Sequence, residues 1–194
     1  NDTVHFDIWN IVEPGSDLLF RFPSQEVFAT HMKKLGIQKN QSIVVYDQSP
    51  GGLFTAARVG YMLRHYGATN VRLLNGGMKK WKAEGRTVVS GAVEEPPFKL
   101  WAGGDYSYAA PDSSRVIMDI GTMHGFASKL YKAEDAGSLD FQVLDARDAP
   151  GFSAANIKNS VNVPFDELLN ADGTFKSNED LEAYFAAKAV DTGK

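Results

Sequence analysis

The chain has 194 residues, of which 43% are hydrophobic and 23% are charged, and its net charge is −4. This composition is typical of a globular protein and excludes a disordered chain. No apolar run reaches the about 20 residues that a membrane span requires, and the acidic balance argues against nucleic acid as a dedicated partner. Cysteine is absent, which excludes a disulfide framework and a cysteine-ligated zinc site.

The first elements along the chain are a short strand and a helix. Residues 4–8 predict the strand, and Ser24, directly after a proline, is placed as the N-cap of the helix. Gly36 is expected to end this helix. Its apolar face is formed by Val27, Phe28, Met32 and Leu35.

Residues 43–85 predict a strand, a glycine-containing loop, a helix, a second strand and a Gly-Gly turn. The run 43–46 is apolar and β-branched, which predicts a strand buried on both faces and ended by Asp47. A helix over 54–65 and a strand over 71–74 follow. Strands that alternate with helices indicate βαβ units and a mostly parallel sheet. The loop after the first strand lies where α/β proteins place their chemistry.

The middle of the chain has a different character from its two ends. Residues 91–115 are rich in proline, glycine and serine and have no usable period, which predicts an interdomain linker. We therefore expect a first domain at 1–90 and a second domain at 116–194. In the second, strands are expected at 115–119 and at 141–144.

The second half of the sequence repeats the first. Residues 22–28 match residues 175–181, so that Ser177 stands 153 positions after Ser24. At the same spacing, Gly36-Ile37 falls on Ala189-Val190. Two copies at this distance indicate a duplicated domain rather than a solenoid.

The repeat also predicts that the chain is a fragment, or the ordered part, of a longer protein. Carried forward, the spacing places the second copies of Ile43 and Asp47 beyond Lys194. In the second copy, residues 142–144 precede the strand that contains Val161. The first copy has no counterpart of these residues before Val4. A compact sheet without these strands would have unpaired edges. We expect the first domain to lack its N-terminal strand and the second to lack its central strand and the loop after it.

Several common sites find no support in the sequence. The loop 47–52 lacks the lysine and hydroxyl residue of a P-loop and the Gly-x-Gly-x-x-Gly spacing of a dinucleotide site. An aspartyl-phosphate role for Asp47 lacks a neighbouring carboxylate other than Asp145 in the other copy. The four histidines have no ligand pairing, so no metal site is expected.

Arg147 is the clearest candidate for binding an anion. It follows two residues after Asp145, at the end of a predicted strand, and its planar fork of donors suits an oxyanion substrate. The alternative is a salt bridge within the domain, to Asp145 or Asp148. The sequence leaves both open.

Residues 43–85 resemble the first domain of two-domain rhodaneses, the thiosulfate and 3-mercaptopyruvate sulfurtransferases. The matching motifs are Val45-Tyr46-Asp47, residues 54–59, residues 71–77 and residues 81–85. Residues 141–193 resemble the opening of the second domain, with Val143-Leu144-Asp145-Ala146-Arg147 as its first motif. The resemblance implies an α/β fold of tandem rhodanese-like domains, each a mostly parallel central sheet flanked by helices.

The resemblance also implies an activity and its residues. In this family the first domain is catalytically silent and carries Asp47 at the position of the working cysteine. The working cysteine of the second domain is then expected shortly after Lys194. It takes sulfane sulfur from a small donor anion and passes it, as a persulfide, to a thiol or cyanide acceptor without a cofactor. Arg147 takes the place of the substrate-anion arginine. Phe54 takes that of an aromatic cleft wall, with a core role as the alternative.

The sequence departs from the family pattern in three places, one of which is the segment between Phe152 and Asn156, shorter here than is usual in the family. Gly151 stands where the family often has a second arginine, and residues 155–160 lack the histidine of the Gly-His-Ile motif. These departures favour a rival hypothesis, a catalytically inactive rhodanese-fold subunit that serves as a structural or interaction module in a larger complex. A phosphatase relative of the same fold is disfavoured by the tandem repeat. Resemblance to organellar sulfurtransferases implies a mitochondrial location, with the cytoplasm as the alternative.

Overall fold

A computed structural model of the chain describes residues 3–17, 21–91, 104–109 and 119–193. The chain divides into two compact units, Asn1–Met118 and Asp119–Lys194. The first unit contains α1 (Gln25–Leu35), β1 (Ile43–Val45), α2 (Thr55–His65), β2 (Val71–Leu73) and α3 (Gly77–Ala83). The second contains α4 (Ile120–Lys132), β3 (Leu144–Asp145), α5 (Ala149–Ala154), β4 (Val161–Asn162) and α6 (Asn178–Ala187), with 3₁₀ turns at Ala136–Ser138 and Phe165–Leu168.

The sheet of the first unit is parallel, as the βαβ pattern predicts. β1 pairs with β2 so that Ile43 lies opposite Val71 and Val45 opposite Leu73. Ile43 and Val45 pack against the core, whereas Val44, on the other face, is 60% exposed. The prediction that this strand is buried on both faces is therefore wrong within the described residues.

The core of the first unit lies between α1, α2 and the sheet. Phe28 of α1 stacks on Tyr66 with ring centroids 4.2 Å apart and meets the edge of Tyr108 at 5.2 Å. Tyr108 is 1% exposed, although it belongs to the predicted linker. Among the described residues, the other buried side chains of this core cluster are Ile11, Met32, Val59, Met62, Leu63, Ala68 and Val71.

The strand predicted at residues 4–8 is wrong. The segment is irregular and turns at Asp7, whose side chain accepts a hydrogen bond from the backbone N–H of Trp9 at 2.9 Å. The Asp7 backbone carbonyl accepts from the N–H of Ile11 at 3.0 Å. A carboxylate that captures nearby backbone donors favours a turn over a strand.

The second unit also contains a parallel pair of strands. Leu144 lies opposite Val161 and Asp145 opposite Asn162. The strand predicted over 141–144 is shorter and less buried than expected, since regular pairing begins only at Leu144, which is 46% exposed. The strand predicted at 115–119 falls outside the described residues except for Asp119, which caps α4.

The internal repeat is visible in the backbone of α1 and α6. Ser24 and Ser177 precede the two helices with φ of −60° and ψ of 158° and 157° respectively. Gly36 and Ala189 then adopt left-handed conformations, with φ of 67° and 54°. The next N–H groups donate back into the helices at 2.9 Å, from Ile37 to Met32 and from Val190 to Phe185. The predicted ends of α1 and its spacing of 153 residues to α6 are confirmed.

No helix in the described parts of the chain is long and apolar enough to cross a bilayer.

Candidate functional site

The loop that follows β1 is organised around the carboxylate of Asp47. One oxygen, Oδ1, accepts from the N–H and the hydroxyl of Ser49, at 3.2 and 2.6 Å. The other, Oδ2, accepts from the N–H groups of Phe54, Thr55 and Ala56 at 3.0, 2.6 and 2.8 Å, and from the Thr55 hydroxyl at 2.9 Å. Asp47 therefore holds the first turn of α2 from the far end of the loop.

This arrangement replaces an ordinary helix cap. The residue at the N-cap position of α2 is Phe54, whose side chain cannot accept a hydrogen bond. The first N–H groups of a helix have no partner within it, and the Asp47 carboxylate accepts from three consecutive ones. A negative charge at this end of the helix is also favoured by the helix dipole.

The environment of Asp47 favours the ionised form. Burial alone disfavours the charge, but the hydrogen bonds from Ser49, Ala56 and Thr55 outweigh it, so the pKa of Asp47 lies below its ordinary value. At neutral pH the loop thus encloses a carboxylate anion.

The Gly76-Gly77 turn packs directly against this loop. The N–H of Met78 donates to the backbone carbonyl of Asp47 at 3.1 Å. Gly77 has a φ of +53°, and a Cβ at this position would lie 1.9 Å from the carbonyl oxygen of Gly52. The second glycine of the motif is therefore required by this close contact between backbones.

Phe54 lies at the rim of the same loop and is 65% exposed. The alternative of a core role for Phe54 is therefore wrong. Its exposed ring stays compatible with the predicted role as a wall of a cleft. Its neighbour Leu53 is fully buried and anchors the loop.

In the second unit, Arg147 forms a salt bridge with Asp145. Its Nε lies 3.0 and 3.1 Å from the two carboxylate oxygens, and its Nη2 donates to Oδ2 at 2.6 Å. Nη2 also donates to the carbonyl oxygen of Ala155 at 2.6 Å. Asp148 instead caps α5, accepting from the N–H of Gly151 at 3.0 Å. Of the two predicted partners, the structure thus selects Asp145.

The pair shifts the pKa of both partners in opposite directions. Hydrogen bonds from the Arg147 side chain and backbone hold the pKa of Asp145 below its ordinary value. The same contact raises the pKa of Arg147. The Arg147 side chain is 53% exposed, while that of Asp145 is 15% exposed. The guanidinium therefore lies at the surface with one edge held by the carboxylate.

Two residues that hydrogen-bond to the candidate site residues were missed by the sequence analysis. Asn162, at the end of β4, donates from Nδ2 to the carbonyl oxygens of Asp145 and Arg147, at 3.0 and 2.9 Å, and fixes the turn between them. The only sequence signal for Asn162 is its position on the strand that pairs with β3. This signal can be used only when the register of the two strands is known. Ser49 was likewise missed as a donor to Asp47. Across the described ranges, no three His, Asp or Glu side chains lie close enough together to hold a metal ion.

Comparison with known proteins agrees with this fold. Residues 6–84 match the model of the rhodanese-like domain. The chain is 31% identical over 193 residues to 3-mercaptopyruvate sulfurtransferase of Escherichia coli K12, covering 98% of this chain and 65% of that protein. It is 33% identical over 201 residues to thiosulfate sulfurtransferase of Bos taurus, covering 97% of this chain and 62% of that protein.

Solved structures give the same result. The crystal structure of SseA from Escherichia coli, described as having the rhodanese fold, superposes with a TM-score of 0.74 at 29% identity, over 97% of this chain and 67% of that one. Tum1 of Saccharomyces cerevisiae superposes with a TM-score of 0.76 over 98% of this chain and 65% of that one, and at 22% identity it supports the fold alone. The two units thus define an α/β protein with the rhodanese fold.

The chain contains a rhodanese-like domain at residues 6–84, and the proteins similar to nearly its whole length are sulfurtransferases. It spans somewhat less than two thirds of the length of these two relatives.

Proposed function

We propose that the protein containing these 194 residues is a sulfurtransferase. A cysteine thiolate takes a sulfur atom from thiosulfate or 3-mercaptopyruvate, so that the bond from that sulfur to the rest of the donor breaks and sulfite or pyruvate leaves, and the resulting persulfide passes its outer sulfur to a thiol or cyanide acceptor and regenerates the thiolate. The cysteine lies outside the 194 residues, which contain none. The observation that carries the proposal is the similarity to two sulfurtransferases over 97% or more of this chain.

In this proposal the first unit has no chemical step of its own. Asp47 occupies the loop position at which a working copy would carry the thiolate nucleophile. A carboxylate has no polarisable sulfur that could accept a sulfur atom, whereas a thiolate has one. The carboxylate of Asp47 is instead held by six hydrogen bonds. Phe54 is assigned to the wall of the substrate cleft because its ring is exposed beside the loop.

We assign Arg147 to the sulfur-donor anion. Its partner Asp145 binds one edge of the guanidinium through Nε and Nη2, so that a small anion would approach the other edge, at Nη1. In the full-length protein, Arg147→Lys keeps the charge but loses the fork. We expect its KM for thiosulfate to rise by about tenfold, as for one lost charged hydrogen bond, with little change in kcat.

A purely structural role for Arg147 predicts a different result. In that case Arg147→Lys would lower the melting temperature and leave the KM unchanged. Asn162→Ala serves as the matched variant, because it disturbs the same turn without removing a charge.

The second candidate function is a catalytically inactive subunit that serves as an interaction module. It is favoured by the engagement of Arg147 with both Asp145 and the carbonyl of Ala155, which is typical of a structural ion pair. Cyanide-dependent thiocyanate formation by the full-length protein, with thiosulfate or 3-mercaptopyruvate as donor, distinguishes the two. Turnover that is lost on replacing the cysteine encoded after Lys194 supports the enzyme, and no cysteine there supports the module.

The 194 residues alone are expected to transfer no sulfur, since they contain no thiol. Thiocyanate production by this polypeptide above that of a heat-denatured sample would overturn the assignment of the chemistry to a cysteine outside it. By resemblance to organellar relatives we place the protein in mitochondria, which fractionation of cells that express the full-length protein would test.

A further inference from the structure

The second unit has a surface cavity that lies apart from the candidate site at Arg147. Its volume is about 320 Å³, and it is lined by positions 124, 127, 128, 131 and 132 of α4 and by Ile157 and Lys158. Residues 157 and 158 precede β4, whereas Arg147 follows β3, and these two strands are parallel. The cavity therefore lies toward the opposite edge of this sheet from Arg147.

The two walls of the cavity are fixed to each other by polar contacts. Nδ2 of Asn159 donates to the backbone carbonyl of Leu130 at 3.0 Å, and Leu130 is 2% exposed. Nζ of Lys158 lies 3.5 Å from the carbonyl oxygen of Tyr131 and 4.5 Å from the centroid of the Tyr131 ring. A cation over an aromatic face is attracted by the ring. The Lys158 ammonium is thus held beside the cavity.

The charge of the cavity is positive, although the chain as a whole carries a charge of −4. Lys132 and Lys158 line it, and no carboxylate does. In the described parts of the chain, neither lysine lies within ion-pair distance of a carboxylate. The C-terminal end of a helix disfavours an anion, but here the Lys158 ammonium lies beside the Tyr131 carbonyl and offsets that effect. The cavity therefore favours an anionic ligand.

The cavity also offers an apolar surface. Ala127 and Ile157 are half-buried in its lining, and the side chain of Tyr131 is 63% exposed. Ammonium groups beside apolar surface match a ligand that combines an anionic group with an apolar body. The volume is at the lower end of the about 300–1,000 Å³ of small-molecule sites. Positions 124–131 of α4 span about 11 Å, which suits a single small molecule.

We propose that this cavity binds a small organic carboxylate. Its carboxylate group contacts the ammonium groups of Lys132 and Lys158, and its apolar body lies against Ala127, Ile157 and Tyr131. The ligand is a free acid of one ring or a short chain, and it undergoes no chemical step at this site. The inference does not depend on the proposed sulfur transfer, because it uses none of the residues assigned to that reaction.

The test uses phenylacetate as the probe for the full-length protein, with isothermal titration and saturation-transfer NMR of the ligand. We expect saturable binding with a Kd of about 1 mM, as for a small ligand of high efficiency. Acetate has the charge without the apolar body, and 2-phenylethanol has the body without the charge. Each should bind at least about tenfold more weakly. Absence of saturable phenylacetate binding, or equal affinity for either control ligand, would overturn the proposal.

Three lysine variants locate the bound probe. Lys132→Gln and Lys158→Gln should each raise the Kd for phenylacetate by about fivefold, as for one exposed ion pair. Lys129→Gln is the matched control, because Lys129 is an exposed residue of the same helix but does not line the cavity. It should leave the Kd unchanged. Equal weakening by all three variants would show that only the overall charge matters, and would overturn the proposal.

Arg147→Gln separates this cavity from the anion site that we assign to the sulfur donor. We expect Arg147→Gln to bind phenylacetate with the affinity of the wild type. Loss of binding in Arg147→Gln, with binding retained in Lys158→Gln, would place the ligand at Arg147 and overturn the proposal. Thiocyanate formation is measured separately, so failure of the proposed sulfur transfer would leave these binding results as they are.

Discussion

At the scale of single residues, the position of Gly77 strictly requires glycine. A Cβ there would lie 1.9 Å from the Gly52 carbonyl oxygen, and φ is +53°. Backbone on both sides leaves no flexible side chain to move away. We expect Gly77→Ala to lower the free energy of unfolding by about 3 kcal/mol or more, through overpacking and backbone strain.

The substitution Gly85→Ala separates the contribution of backbone strain from that of overpacking. Gly85 has a φ of +67°, but no atom lies within 4 Å of the position of its Cβ. Only the conformational strain applies, and we expect a loss of about 1 kcal/mol. Urea unfolding of both variants measures the difference, and equal losses would show that the contact with Gly52 does not matter.

The carboxylate of Asp47 makes the stability of the first unit depend on pH. Its pKa in the folded state is depressed, so its contribution is complete above the unfolded value of about 3.9 and is lost as the pH falls through the folded value. We expect Asp47→Asn to cost about 2 kcal/mol at pH 7, since hydrogen bonds to a charged group are replaced by weaker ones. Urea unfolding should show the gap between variant and wild type narrowing as the pH falls below about 4. A gap that is constant with pH would mean that charge is not involved.

Residue-level features were predictable where their signal is local. Ser24 and Gly36 flank α1 as expected, and Gly36 ends the helix through its left-handed conformation, whereas the Ser24 side chain makes no capping hydrogen bond. The role of Asp47 was not predictable, since its partner Thr55 is eight residues away across a loop. For Arg147, the sequence supplied the correct pair of alternatives, and only geometry selects Asp145.

At the scale of elements, the C-terminal ends of α1 and α6 can be compared by exchanging glycine and alanine between them. Both helices end in a left-handed residue, Gly36 in one and Ala189 in the other. Since a left-handed conformation costs alanine about 1 kcal/mol or more, we expect Ala189→Gly to raise the free energy of unfolding by about 0.5 kcal/mol after the entropy of glycine is included. Gly36→Ala should lower it by about 1 kcal/mol.

The control for these two substitutions is at Ala187, two residues before Ala189. Ala187 is the last residue of α6, so Ala187→Gly should destabilise the helix by up to about 1 kcal/mol. Chemical denaturation of the three variants is the measurement. A loss of stability in Ala189→Gly equal to that in Ala187→Gly would contradict the equivalence of the two helix ends.

Helices were predicted more accurately than strands, for a physical reason. A helix satisfies its own hydrogen bonds, so its sequence contains most of the information about where it begins and ends. A strand depends on its neighbour. Residues 4–8 have a strand-like composition, yet Asp7 captures the nearby N–H groups and the segment turns. β3 begins only at Leu144, where pairing with Val161 begins.

At the scale of the whole molecule, the first unit extends beyond the segment that matches the rhodanese-like domain. That match ends at residue 84, and composition places residues 91–115 in a linker. Nevertheless, Lys39 forms a salt bridge with Asp105 at 3.6 Å and donates to Ser107. Tyr108 is a single buried aromatic residue among polar residues and glycines. Hydrophobic periodicity cannot identify one buried residue in so short a segment.

Tyr108 offers the test of this extended boundary. It is buried against Phe28, and its hydroxyl donates to the carbonyl oxygen of Ile37 at 3.2 Å. We expect Tyr108→Ala to lower the free energy of unfolding of the full chain by about 3–5 kcal/mol, as for other large aromatic side chains in cores. Tyr108→Phe should cost about 1 kcal/mol, for the lost hydrogen bond alone. Val89→Ala, at an exposed site that also lies beyond residue 84, should change stability by less than about 0.5 kcal/mol. If Tyr108→Ala were as mild as Val89→Ala, the segment around Tyr108 would be a linker after all, and the first unit would end where the family match does.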